Sequence, residues 1–133
     1  MRILDEGMRI EYIALEELRG NPGNPKEHDI GSYIGSIEEF GGFVTPGIID
    51  ERDGRLVKGH GGKRALMMMK ASGVDAPGNV VVERDGGRDV WRMPVVRGIE
   101  FESENEAMAY LIADNRIPEL GGWDEGKLLA SLT

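Results

Sequence analysis

The run Val57-Lys58-Gly59-His60-Gly61-Gly62-Lys63-Arg64-Ala65-Leu66 holds the residues of this chain best suited to chemistry. An apolar, strand-like stretch (Gly47-Ile48-Ile49-Asp50, then Arg55-Leu56-Val57) leads into three glycines and a histidine, and a helix-prone run from Lys63 to Lys70 follows at once. A strand, a glycine turn and a helix start bring bare backbone N–H groups and the positive end of a helix dipole to one point. Phosphate is the ligand such a point suits best. Lys63 and Arg64 add two cations in the first helical turn, where the dipole alone disfavours them, and a nearby anion would explain them. The phosphate-binding candidates are therefore Gly59, His60, Gly61, Gly62, Lys63 and Arg64. The spacing is neither that of a P-loop nor Gly-x-Gly-x-x-Gly, and the same residues would also make a plain tight turn. His60 is a phosphate contact, a general base and the catalytic candidate, or a turn filler; an unperturbed pKa near ~6.5 suits it to acid or base work.

The elements that must position this turn follow from pattern. Met8 to Ile13 alternates apolar and polar, which predicts a strand half buried on one face. Ala14 to Leu18 reads as a bend or a short helical turn, and Asn21-Pro22-Gly23-Asn24-Pro25-Lys26 as loop. Asp29 caps a helix from Ile30 to Phe40, with apolar residues three and four apart, and Gly41-Gly42 stops it. Ile48-Ile49-Asp50 and Leu56-Val57 make a hairpin across Asp53-Gly54. The helix at 62–72 carries Met67, Met68 and Met69, which read as core. Val80 to Val82 and Val90 to Met93 flank a turn at 84–88, giving a β-hairpin insertion over about 74–98, and Pro94-Val95-Val96 reads as a further short strand. Ser103 and Glu106 form a capping box for a helix that ends near Asp114-Asn115-Arg116 and is closed by Pro118. Trp123-Asp124-Glu125 leads into a last short helix. Strands and helices mix without strict alternation, so the fold class is α+β, a small mixed sheet with flanking helices in one domain over residues 1–133.

Composition narrows the function. The net charge is −8, which disfavours broad binding to duplex nucleic acid but leaves room for local DNA-binding patches. The chain has no cysteine, which excludes disulfides, zinc ribbons and thiol catalysis. No apolar run approaches the ~18 residues of a membrane span, and the N-terminus lacks a signal-peptide core, so a cytoplasmic location without membrane contact is expected.

Seven anchors in order resemble the ParB/sulfiredoxin superfamily, most closely the ParB-like domains of phage and prophage genes. They are Asn24-Pro25-Lys26 with His28, Ser36-Ile37 with Phe40-Gly41, Pro46, Gly59-His60-Gly61 with Arg64-Ala65, Pro94-Val95, Ala113-Asp114-Asn115-Arg116, and Trp123-Asp124. The resemblance covers about Ile10 to Leu129 and implies a ParB N-domain/sulfiredoxin-like fold. It also implies a nucleotide ligand, ATP or CTP with Mg²⁺ as cofactor. Asp114 and Asn115 would hold the metal, while Asn24, Lys26, His28, Thr45 and Asn115 would line the nucleotide; Asp114-Asn115 also reads as a plain helix end. Gly62 stands where the family carries an arginine, which weakens the expected grip on a triphosphate. Two functions are thus expected: a Mg-dependent nucleotide phosphohydrolase or nuclease, or a non-enzymatic switch or assembly module with a degenerate phosphate site. Partners implied are the nucleotide, DNA or a partner protein, and a second copy in a homodimer. The family's helix-turn-helix is missing before Thr133, so sequence-specific DNA binding by this chain alone is not expected. Sulfiredoxin chemistry needs a cysteine and is excluded, and a small-hydroxyl kinase would have to draw its base from His60, Glu38 or Glu39.

Overall fold

A computed structural model describes residues 1–21 and 29–121, with backbone alone over 115–121. The element order is β1 (Arg2–Ile3), β2 (Arg9–Ala14), a 3₁₀ turn (Leu15–Glu17), α1 (Ile30–Phe40), β3 (Gly47–Asp50), β4 (Arg55–Lys58), α2 (His60–Ala71), β5 (Val81–Asp85), β6 (Arg88–Glu100) and α3 (Glu104–Gly121). This is a mixed α+β architecture around a six-stranded sheet.

β6 organises the sheet. Its 13 residues run unbroken through Pro94. It pairs antiparallel with β1, β2 and β5 and parallel with β3, which in turn pairs antiparallel with β4. Of the hairpin expected over 74–98, then, the second strand is the strand to which four others bond, and Val95-Val96 continues it. Helices cover both faces, as neighbouring residues of one strand demonstrate. Leu56 and Ile49 join a cluster with Ile37, Phe43, Leu66 and Met93, which seats α1 and α2. Val57 and Ile48 turn the other way and pack with Phe101, just past the end of β6, and with Ala107 and Leu111 of α3.

Local chemistry sets the helix ends. Asp29 accepts the Ser32 N–H at 3.0 Å, and the Gly41 N–H closes α1 on the Ile37 carbonyl at 2.8 Å. Ser103 Oγ accepts the Glu106 N–H at 3.1 Å, and the Glu106 carboxylate reaches back to the Glu102 N–H at 3.3 Å.

Four expectations need correction. α2 starts at His60, two residues early, so Gly61 and Gly62 are helical and Gly59 alone makes the turn. Of the three methionines only Met69 is buried, because consecutive helical residues point ~100° apart. Met8 and Ile10 are exposed, and β2 is buried only at its Ala14 end, since no described helix lies over its start. α3 does not end at 114–116 but passes through Pro118 to Gly121, because a proline removes one N–H and need not end a helix that packing already holds. The loop at 22–28 and the helix expected after Trp123 lie outside the described residues.

Candidate functional site

The turn into α2 is built on close backbone contact. Gly59 has φ 109°, a left-handed value, and a Cβ there would stand 2.8 Å from Gly47 Cα at the start of β3. Glycine at 59 therefore lets the entry of α2 rest against β3. Gly62 serves differently: a Cβ there would lie 2.7 Å from Phe43 Cζ. The Phe43 ring fills the space beside the first turn, so the arginine expected by resemblance at this position would meet a buried ring. Gly61 and Gly62 are buried, and neither amide donates to an acceptor among the described residues. They are two of the amides that a helix start leaves without an intrahelical partner.

Beside this turn lies a cavity of about 130 Å³, walled by Tyr33, Ser36 and Ile37 of α1, by the Gly42–Pro46 loop, and by Lys58, Gly59 and Gly62. Phe43, Val44, Pro46 and Ile37 make much of it apolar, while Ser36, Thr45 and Lys58 supply polar groups. Thr45, expected from the resemblance to line a nucleotide, lies on the wall of this cavity. Tyr33, Phe43 and Lys58 were not foreseen from sequence; only the position of Lys58, one residue before the turn, signalled it.

The other candidates take separate places. His60 Nε2 accepts the Asn21 N–H at 2.9 Å, and its ring lies over Gly20. An accepting nitrogen carries no proton, so the Nε2 lone pair is engaged with the backbone rather than turned to the cavity. Asn21 is held a second time through its side-chain amide on Glu104, which also accepts Arg52 Nη2 at 2.8 Å. The Asn21 and Arg52 bonds hold the Glu104 carboxyl below its ordinary value. Lys63 Nζ donates to the Leu18 carbonyl at 2.6 Å. Arg64 is exposed. Neither Lys63 nor Arg64 has a carboxylate partner among the described residues, whereas most other described cations do. Asn24, Lys26 and His28, and the Asn115 side chain, lie outside the described residues.

Asp114 is the described half of the expected magnesium pair. Its Oδ2 takes the Lys58 ammonium at 2.7 Å, so a cation already neutralises this carboxylate. Among the described residues no group of three His, Asp or Glu could hold a metal. Of the expected pair only Asp114 is described, and its Oδ2 is engaged by lysine, while the Asn115 side chain lies outside the described residues. No helix among the described residues is long and apolar enough to cross a membrane. No family model, curated protein or solved structure matches the chain.

Proposed function

We propose that this chain is a ParB/sulfiredoxin-like domain that binds a nucleotide of the ATP or CTP class and acts as a binding switch rather than a hydrolase. One observation carries the reading. The buried amides of Gly61 and Gly62 lack acceptors among the described residues, in the same helical turn as Lys63 and Arg64, which have no carboxylate partner among them, and beside a cavity. A phosphate group would accept from those amides and balance Lys63 and Arg64. The apolar wall of Ile37, Phe43, Val44 and Pro46 suits one face of a base or sugar, and Thr45 and Ser36 suit its polar edges; at about 130 Å³ the cavity takes part of a nucleotide and leaves the rest outside it.

Binding without turnover is favoured by His60. General-base work needs a free lone pair within reach of the attacking water, and Nε2 is bonded to the Asn21 amide instead. Thermal unfolding with ATP, CTP, GTP and ADP in Mg²⁺ buffer tests the reading. A true ligand at a hundredfold excess over its Kd stabilises the fold by about 2.7 kcal/mol. Phosphate release with the same nucleotide stays at the buffer rate. If no nucleotide moves the unfolding midpoint, the reading fails; steady phosphate release would restore the hydrolase.

A further inference from the structure

We infer that Lys58, oriented by Asp114, is the cation that meets a ligand's phosphate in this cavity, in the role that the family resemblance gives to Mg²⁺. The inference rests on the nucleotide-binding reading and specifies its chemistry. Lys58 is the one charged residue among the described residues of the cavity wall. Its ammonium has three donors, and its described bond, to Asp114 Oδ2 at 2.7 Å, takes one. Two N–H donors remain on a side chain that is 34% exposed, so the ammonium is accessible to a ligand.

The same bond settles what Asp114 does. A carboxylate in contact with an ammonium is a counter-charge: it holds the lysine stem from β4 against α3 and tempers its positive field. It is a positioning residue, and it stands on the repulsive side of any phosphate that enters. The two roles for Asp114 therefore predict opposite signs. If Asp114 ligated Mg²⁺, removing its charge would weaken nucleotide binding. If it restrains Lys58, removing its charge frees the cation and lifts a repulsion, and binding tightens.

The experiment is calorimetric titration of the full chain with ATP and with CTP, in excess EDTA and in Mg²⁺, for wild type, Asp114→Asn, Lys58→Gln and Lys58→Arg. Unfolding midpoints are recorded alongside to show that each variant is folded. Wild type binds in EDTA within about twofold of its affinity in Mg²⁺. Asp114→Asn binds severalfold tighter in both buffers. Lys58→Gln binds about ten- to a hundredfold weaker, the loss of one charge-assisted hydrogen bond, and Lys58→Arg recovers most of it. Binding that requires Mg²⁺ and falls in Asp114→Asn overturns this inference and leaves the nucleotide site standing. So does Lys58→Gln binding like wild type. Absence of binding in both buffers overturns the site itself, and this inference with it.

Discussion

Replacing Gly62 by alanine tests whether the first turn of α2 is shaped by ligand chemistry or by packing. Helix propensity alone predicts a gain of ~0.5–1 kcal/mol, because glycine inside a helix carries an entropic penalty. Tertiary contact reverses the sign. The added Cβ would stand 2.7 Å from Phe43 Cζ and 2.9 Å from Cε2. Carbon atoms rest ~3.5–4.0 Å apart, so the ring has to retreat by about 1 Å. Phe43 is 5% exposed and belongs to the larger core cluster, so retreat disturbs its neighbours. Overpacking of this kind costs ~1–3 kcal/mol, and after the propensity gain the net loss is about 0–2.5 kcal/mol. Chemical denaturation, with the slope checked for two-state behaviour, reads this directly. Phe43→Leu should be destabilising alone, yet in that background Gly62→Ala becomes neutral or stabilising, a coupling of about 1 kcal/mol or more. Phe43 also lines the cavity, so a ring pushed that way should lower affinity at the proposed nucleotide site as well. A Gly62→Ala protein with wild-type stability, unchanged binding and no coupling to Phe43 would refute the reasoning.

Two further predictions concern the frame around the site. The Arg97 guanidinium grips Glu51 at 2.7 and 2.8 Å and the Gly98 N–H adds a bond, which lowers the Glu51 pKa from 4.5 to about 2. A depressed carboxyl stabilises the fold above its unfolded pKa, so about 2–4 kcal/mol present at neutral pH is lost as pH falls from about 4.5 through 2; Glu51→Gln should flatten that acid limb of the stability curve, and an unchanged limb would contradict the linkage. Asp50 is 1% exposed and accepts the Phe101 N–H at 3.1 Å and the Arg52 N–H at 2.9 Å. Asp50→Ala leaves the buried Phe101 N–H without its acceptor, while Arg52 keeps Glu104 and Asp53, and should cost about 1–3 kcal/mol by denaturation, whereas no loss at all would mean that water replaces the carboxylate.

Much of the scaffold was legible because it is local. The α1 boundaries follow from Asp29, a three-and-four spacing and Gly41, all within one helix length. The Ser103–Glu106 box starts α3 for the same reason. The Asp53-Gly54 turn signals the β3–β4 hairpin. What failed was long-range. Nothing in Gly61-Gly62 distinguishes a loop from a helix whose glycines admit a distant ring, because Phe43 is 19 positions away and enters only in the fold. The methionine run looked like core, yet burial is set by which side of α2 meets the sheet. The role of β6 was hidden because strand patterns reveal exposure, not how many partners a strand acquires.

At the candidate site the division is the same. The sequence by itself placed unpaired amides, Lys63 and Arg64 at one helix start, since amide orphans and charge position are properties of a helix end. The tertiary structure alone decided which of these groups are already engaged. It turned His60 to the Asn21 amide, Lys63 to the Leu18 carbonyl, and Asp114 to Lys58 from 56 residues away. Partner choice between side chains depends on distances of a few ångströms, which only the packing of β4, α2 and α3 against one another fixes.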